Sequence, residues 1–244
     1  MGILSRTKYT GALTAVALAG SLLLAGAPAQ AAKKPIDITG FNASDQVITN
    51  SNCHRVKISA KLKKNYTGIT NVGYWLTSSV SRNGGEVDSA WFADTTVDYV
   101  QICPSFEGLG AYKIGPTDIS VDYEYVDRDG YQSYGFSNYW DTTSKTIYLR
   151  GKTKSTLTAK RSGKNVTLTT SASVYSPEKY RYAQYNPTAK LQVKSGTKWK
   201  TIKTTKLKSG KATFKLKESK KKTYRVTIPK TSWATAATSK SVSK

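Results

Sequence analysis

The chain has 244 residues, of which 38 are Lys or Arg and 15 are Asp or Glu, so its formal net charge is +23 at pH 7. A single His and two Cys exclude metal centres and catalytic devices that need several such residues. Thr, Ser, Tyr and Val are abundant and favour strands over helices, and no internal segment has a helical period. The composition therefore predicts an all-β protein.

The first 31 residues have the pattern of a secretory signal peptide. Arg6 and Lys8 supply the charged start, residues 11–26 are apolar and small, and Ala29-Gln30-Ala31 fits a cleavage site. A transmembrane anchor needs about 20 apolar residues, and this run is shorter. We therefore expect a secreted protein whose mature chain has no transmembrane segment.

Residues 32–150 are predicted to form an N-terminal β-sandwich domain. Clusters of Gly, Asn and Asp separate short strand-like runs, a pattern typical of sandwiches. Between residues 33 and 149 the charges nearly balance, with 11 basic and 13 acidic residues. The predicted strands are 45–48, 55–62, 73–77, 97–102, 119–126, 131–140 and 145–149.

Cys53 and Cys103 are the only cysteines, and in a secreted chain a pair most simply forms one disulfide. Closing a loop of about 50 residues stabilises by about 4 kcal/mol in the chain-entropy model. A metal or redox site is the alternative, but it needs more ligands or a C-x-x-C spacing.

An acidic stretch begins at Asp118, and alternation places Asp118, Asp122 and Glu124 on one strand face with Ser120. A solvated sheet face is one interpretation. A weak calcium-site hypothesis adds Asp127 and Asp129 from the following turn. A glycosidase-like carboxylate pair is the third interpretation. The turn lacks the third carboxylate and the final Glu of an EF-hand, so that motif is excluded.

Residues 151–244 are predicted to form a basic C-terminal domain after a short linker at 151–154. From residue 150 onward there are 25 basic and two acidic residues, so the whole charge excess lies in this segment. Such asymmetry predicts separate domains with separate partners. Its predicted strands are 155–159, 165–171, 190–194, 199–207, 211–217, 223–228 and 240–242. In 197–207 Trp199 and Ile202 break the alternation, which predicts a bulge or twist.

The outward positions of these strands are mostly Lys or Thr. In 211–217, for example, Ala, Phe and Leu alternate with Lys and Thr. A solvated, edge-protecting Lys face is one interpretation. The other is binding of a polyanion, because a basic domain accumulates polyanions. The candidate polyanion-binding residues are Lys190, Lys194, Lys211, Lys215, Lys217, Lys220, Lys221, Lys222 and Arg225.

The segment KYRYAQY at 179–185 interleaves bases with aromatic residues. Alternation predicts that Tyr180 and Tyr182 share a strand face, with Lys179 and Arg181 opposite. Both Tyr are candidates for stacking on sugar rings or bases. The alternative is that they fill the sandwich core.

Several motifs carry a family resemblance: TLTAKRSGKNVTLTTSA (156–172), KLQVK (190–194), KWKTIKT (198–204) and TYRVTIP (223–229), with VDYEYVDRDGYQSYGFSN (121–138) in the first segment. On these motifs both segments resemble bacterial immunoglobulin-like (Ig-like) sandwich domains, and the second resembles the Ig-like domains of secreted actinobacterial proteins. The resemblance implies two tandem antiparallel sandwiches and a role in binding, spacing or adhesion, without shared chemistry. The sequence departs from true Ig domains in two ways. Those domains have a Tyr two residues before the second Cys, where this chain has Gln101, and Trp75 lies further from Cys53 than their pattern places the Trp.

The leading hypothesis is a secreted, non-catalytic binding protein whose basic C-terminal domain docks on an anionic polymer of the cell envelope. Extracellular nucleic-acid binding and a structural, assembly or adhesion role are the alternatives. An enzyme is not expected, since His54 lies beside a predicted disulfide cysteine and no nucleophile motif is present. No cofactor is predicted, and the oligomeric state is open.

Overall fold

The computed structural model describes residues 34–244. The predicted signal peptide, residues 1–31, lies outside the described residues. The all-β prediction is confirmed, because nearly every regular element in this part of the chain is a strand. The elements up to residue 151 are β1 (Ile36–Asn42), β2 (Gln46–Ile48), β3 (His54–Lys64), β4 (Thr70–Arg82), β5 (Gly85–Ala93), β6 (Val97–Ile102), the short helix α1 (Pro104–Glu107), β7 (Gly110–Val126), β8 (Gln132–Asp141) and β9 (Lys145–Gly151).

These strands form two sheets that enclose one hydrophobic core. The first sheet has the order β1-β3-β6, and the second has the order β2-β9-β7-β4-β5 with β8 also paired to β7. The pair β2–β9 is parallel, and every other pairing between these strands is antiparallel. In an Ig-like sandwich the first, second and fifth main strands likewise lie in one sheet, and strands C, F and G lie in the other. The core between the sheets includes Ile58, Leu76, Phe92 and Ile119.

The disulfide between Cys53 and Cys103 is confirmed. Cys53 precedes β3 and Cys103 follows β6, two neighbouring strands of the same sheet. The bridge therefore does not cross the core as the inter-sheet bridge of antibody domains does. This position explains why Gln101 occupies the place where true Ig domains have a Tyr.

Tyr112, which the sequence analysis did not single out, forms the corner contact between its hydroxyl and the backbone just before β7. It lies near the start of β7, its side chain is fully buried, and its hydroxyl donates to the Gly108 carbonyl four residues upstream at 2.5 Å. This is the tyrosine-corner arrangement of Ig-like sandwiches. Trp75, by contrast, does not fill the core, because β4 points Tyr74 and Leu76 inward and leaves Trp75 44% exposed.

The elements after residue 151 repeat this plan around a second core. They are β10 (Thr153–Ser162), β11 (Asn165–Ser176), a 3₁₀ helix (Pro177–Lys179), β12 (Arg181–Gln184), β13 (Thr188–Ser195), β14 (Lys198–Lys206), β15 (Lys211–Lys217), β16 (Thr223–Ile228), β17 (Ala237–Thr238) and β18 (Val242–Ser243). One sheet pairs β11 with β10, β12 and β15, and the other has the order β14-β13-β16 with β17 and β18 on β16. The second core includes Leu168, Phe214, Tyr224 and Val226.

The predicted bulge in 197–207 is confirmed. Leu191 on β13 pairs with Lys203, and the next residue, Gln192, pairs with Thr201. Ile202 is therefore the extra residue of β14, and it is 40% exposed. Because Thr201 and Lys203 on either side of it pair with consecutive residues of β13, Ile202 has no partner there and projects outward.

The segment predicted as a linker, 151–154, is instead nearly all strand. Gly151 ends β9 and Thr153 starts β10, so Lys152 alone separates them. The Lys152 N–H donates to the Ile48 carbonyl at 2.9 Å, and its carbonyl accepts from the Tyr175 N–H at 3.0 Å. The backbone at this junction is therefore held by both sheet pairs. The division into domains at 32–150 and 151–244 stays a prediction.

Candidate functional site

Three of the predicted polyanion-binding residues lie on the outer face of the sheet that contains β15. Lys211, Lys215 and Lys217 are exposed and alternate along the strand with inward Phe214 and its neighbours. On β11 beside them, Thr167 pairs with Lys215 and Ser171 pairs with Lys211. This face thus has short hydroxyl side chains between its cations.

Three other predicted residues lie on the opposite sheet of the same sandwich. Lys190 and Lys194 point outward from β13, and Arg225 points outward from β16. The Arg225 Nε donates to Gln192 Oε1 at 2.8 Å, and its guanidinium lies 4.2 Å from the centroid of the Trp199 ring. Arg225 is therefore oriented by its neighbours, whereas the two lysines project freely.

Lys220, Lys221 and Lys222 lie in the turn between β15 and β16. The Arg161 guanidinium holds this turn by donating to the Glu218 carbonyl at 2.5 Å and the Lys220 carbonyl at 3.0 Å. Lys222 forms an ion pair with the half-buried Glu218, and the hydrogen bond from Lys222 lowers the pKa of the Glu218 carboxyl. The nine predicted residues therefore occupy two opposite sheet faces and one turn, not a single patch.

Tyr180 and Tyr182 do not share a strand face, so that prediction was wrong. The 3₁₀ helix ends at Lys179, and the next residue, Tyr180, has a left-handed backbone conformation and is 69% exposed. Tyr182 lies on β12, packs edge-to-face on Tyr175 with ring centroids 5.4 Å apart, and has the Lys154 ammonium 3.6 Å from its ring centroid. Of the two, Tyr180 alone presents its ring to solvent.

The calcium-site hypothesis gains no support from the turn that carries Asp127 and Asp129. Asp127 Oδ1 accepts hydrogen bonds from the backbone N–H groups of Asp129 and Tyr131 at 3.0 and 2.9 Å. Its carboxylate therefore closes the hairpin between β7 and β8. Within residues 34–244, no group of three or more His, Cys, Asp and Glu side chains is placed to hold a metal ion.

His54 begins β3, next to the disulfide. Burial lowers the pKa of its imidazole, and Nε2 has no hydrogen-bond partner in the described part of the chain. Without a partner at Nε2, the imidazole does not activate a nucleophile as the histidine of a catalytic triad does.

The expected outward row of Asp118, Ser120, Asp122 and Glu124 is present on β7. The inward residues of this strand, Ile119 and Val121, are fully buried. The neighbouring strands β4, β5 and β8 add exposed aromatic rings to the same outer surface. We call this surface the aromatic face; its aromatic members are Trp75, Trp91, Tyr134, Phe136 and Trp140, which are 44%, 61%, 80%, 65% and 59% exposed.

Strand register fixes how the aromatic face is arranged. One cross-strand row runs from Trp91 through Thr77 and Asp118 to Trp140, about 14 Å across three strand spacings. The next row places Trp75 beside Ser120 and Asn138. A third row contains Gly73, Asp122 and Phe136, and a fourth pairs Glu124 with Tyr134.

Gly73 leaves room for a carboxylate in the floor of this surface. A Cβ on Gly73 would lie 2.6 Å from Asp122 Oδ1, a contact that real side chains do not make. Asp122 Oδ1 and Asp118 Oδ1 are both buried without a hydrogen-bond partner in the described structure. Glu124, at the end of the row, accepts hydrogen bonds from Asn71 and Gln132 at 2.6 and 2.5 Å.

The sequence contained a signal for these aromatic residues. In QSYGFSNYW, positions 132–140, Gln, Tyr, Phe, Asn and Trp alternate with Ser, Gly and Tyr. Alternation alone does not reveal which set points outward. The orientation of Tyr139 shows which set points inward, because its hydroxyl donates to the Ile36 carbonyl at 2.6 Å on the inner side of the sheet. Its neighbour Trp140 therefore points outward.

A cleft of about 370 Å³ lies where the two sheet pairs meet. Arg82, Tyr175, Lys179 and Trp233 contribute to its walls. Arg82 is already engaged, since its Nη2 donates to the Leu109 carbonyl at 2.7 Å.

No helix within residues 34–244 is long and apolar enough to span a membrane. No family model matches the chain, and no curated protein sequence does. Among solved structures, the chain is similar to the fibronectin(III)-like modules of Clostridium thermocellum CbhA, with 13% identity over 85% of this chain and 90% of that one and a TM-score of 0.30. The D00-D0 domain of intimin aligns with 18% identity over 84% and 98% of the two chains and a TM-score of 0.26. The strands and their pairing, given above, establish the sandwich architecture.

Proposed function

We propose that the chain is a secreted, non-catalytic binding protein whose basic second half docks on an anionic polymer of the cell envelope. The observation that carries this proposal is the segregation of charge, with 25 basic and two acidic residues from position 150 onward. Such a segment attracts polyanions over a distance set by the ionic strength.

The lysines of the second half are free to make these contacts. In the part of the chain that the structure describes, side-chain ion pairs join Arg150 to Asp45 and Lys222 to Glu218, and no others are present. The two acidic residues of the second half thus leave nearly all its cations without a carboxylate. Because the cations lie on both sheet faces, a flexible polymer that wraps the sandwich suits them better than one small anionic ligand.

The disulfide supports an extracellular location. Disulfides persist in oxidising compartments, and Cys53–Cys103 joins the only two cysteines of the chain. Together with the predicted signal peptide, the bridge favours function outside the cell. The absence of a nucleophile motif and of an oriented His favours binding over catalysis.

The test is retention of the mature chain, residues 32–244, on purified Gram-positive cell walls across a salt series. Walls stripped of their anionic polymer are compared with intact walls. Retention should require the polymer and fall steeply with salt, because neutralising each phosphate releases counterions. Equal retention on stripped walls would contradict the proposal.

A variant set makes the test specific to the predicted residues. Replacing Lys190, Lys194, Lys211, Lys215 and Lys217 with Gln should weaken retention and flatten its salt dependence. Replacing the same five with Arg keeps the charge and should restore retention. These side chains are exposed, so both sets should fold like the parent chain.

Extracellular nucleic acid is the second candidate, favoured by one observation. Tyr180 is exposed and stands between Lys179 and Arg181, a combination that suits base stacking with phosphate contacts. Tyr180→Ala should weaken binding of a labelled single-stranded oligonucleotide if this candidate holds. It should leave wall retention unchanged if the envelope polymer is the ligand.

A further inference from the structure

We propose that the aromatic face of the first half binds a neutral polysaccharide, a ligand distinct from the anionic polymer assigned to the second half. The face is the outer surface of β5, β4, β7 and β8, where Trp75, Trp91, Tyr134, Phe136 and Trp140 surround the polar row of β7.

The exposure of these rings is the first argument. Three of the five tryptophans of the chain lie on this one surface, each at least 44% exposed. Within residues 34–244, none of the five rings pairs with another aromatic ring or with a cation. A concentration of unengaged large aromatics on one face of a sheet marks a binding surface.

The polar groups between the rings are the second argument. Asp118, Asp122 and Glu124 offer acceptors, and Asn138, Ser120 and Thr77 add amide and hydroxyl groups. Asp118 and Asp122 are half-buried, and one oxygen of each has no hydrogen-bond partner in the described structure, so both carboxylates have spare capacity to accept hydrogen bonds. A pyranose chain supplies what both sets of groups require, because its ring faces are C–H-rich and its rim carries hydroxyl donors.

The charge of the face excludes polyanions. The rows named above contain three carboxylates and no Lys, Arg or His. Phosphate- or uronate-bearing polymers would be repelled here, just as they are attracted to the second half. A neutral glycan is not repelled by the carboxylates of the aromatic face. The two halves therefore select chemically different ligands.

The polar row also disfavours a lipid or an apolar protein helix as the occupant. Either would bury the Asp118 and Asp122 carboxylates against hydrocarbon without a donor. The surface is four strands wide, and the backbones at Trp91 and Trp140, on its two outer strands, are about 14 Å apart. That span suits an extended chain that contacts several rings along its length. The backbone at Trp91 is anchored from β6, since its N–H donates to Asp98 Oδ2 at 2.7 Å.

The test is retention of residues 32–244 on insoluble cellulose and chitin, and retardation in native gels that contain β-glucan, xylan or galactomannan. We expect at least one of these glycans to bind, with little dependence on salt. Trp91→Ala and Trp140→Ala should each lower the affinity at least tenfold. Phe106→Ala removes another exposed aromatic, 84% exposed on α1 and off the face, and should leave the affinity unchanged.

The outcomes separate this inference from the proposed function. Binding to none of the five glycans overturns the inference and leaves the wall-docking result standing. Glycan binding that weakens equally in Phe106→Ala also overturns it. Glycan binding that is lost with salt and with the Lys→Gln set, but not with the Trp variants, places the contact in the second half and overturns it. An oligomer of the parent chain in sedimentation that is absent from the Trp variants would identify the aromatic face as a self-association surface. That result would overturn the inference as well.

Discussion

Replacing Tyr112 with Phe tests the tyrosine corner that fixes the start of β7. The change removes one hydroxyl from a side chain with no exposed surface and leaves its ring in place. The Gly108 carbonyl loses its donor, so the free energy of unfolding at pH 7 should fall by about 1–2 kcal/mol. For a chain of this length, that corresponds to a decrease in Tm of about 3–6 °C.

The same substitution has a distinctive pH dependence. Burial, opposed in part by Arg82, raises the pKa of Tyr112 to about 12, compared with about 10 in an unfolded chain. Above pH 10 the unfolded chain loses this proton and the folded chain keeps it. Stability from this group is therefore complete below pH 10 and is lost as the pH rises towards 12, by about 1.4 kcal/mol per pH unit.

The Phe variant lacks this loss, so the stability difference between the two proteins should close near pH 11. Urea unfolding followed by circular dichroism at about pH 7, 9, 10, 10.5 and 11 measures it. Other titrating groups affect both proteins alike and cancel in the difference. Two stability curves that run parallel from about pH 9 to 11 would refute the burial and bonding assigned to this hydroxyl.

Three more substitutions test the disulfide, a hydrogen-bonded carboxylate and the floor of the aromatic face. Replacing Cys53 and Cys103 with Ser should lower the unfolding free energy by up to about 4 kcal/mol, measured by urea titration, and an unchanged midpoint would contradict the chain-entropy argument. Burial raises the pKa of Asp141, but hydrogen bonds that include two backbone N–H donors outweigh it and hold the pKa below its ordinary value. Its stabilisation should therefore disappear as the pH falls below about 4, and Asp141→Asn should flatten that acid limb of the stability curve. Gly73→Ala should displace the Asp122 carboxylate and weaken glycan retention with little change in Tm; full retention would show that this carboxylate is not needed.

Alternation predicted most strands, because one face of each is buried. Phe214 and Val226 are inward as the pattern indicates, and their outward neighbours are Lys, Thr or Arg. The parity break at Ile202 predicted the bulge for the same reason. Alternation gave the wrong orientation for Tyr180, because a 3₁₀ helix (Pro177–Lys179) separates β11 from β12 immediately before this residue.

Pairing between distant strands decided what the sequence did not reveal. Lys190 and Lys215 have similar local surroundings, yet they lie on opposite sheets because β13 pairs with β16 and β15 pairs with β11. The acidic row of β7 was predicted from one strand. The aromatic residues beside that row could not be predicted, because they are brought there by the register of β7 against β4 and β8. The β4–β7 pairing joins residues up to about 50 positions apart in the sequence.

Retention on intact and polymer-stripped walls, measured for the mature chain and the five-site Lys→Gln variant from low to high salt, tests the central claim most directly. The account predicts that the parent chain binds intact walls at low salt, is released as salt rises, and loses most of its binding on stripped walls or with the Gln variant. Undiminished binding of the Gln variant to intact walls, at the same salt dependence as the parent, would contradict it.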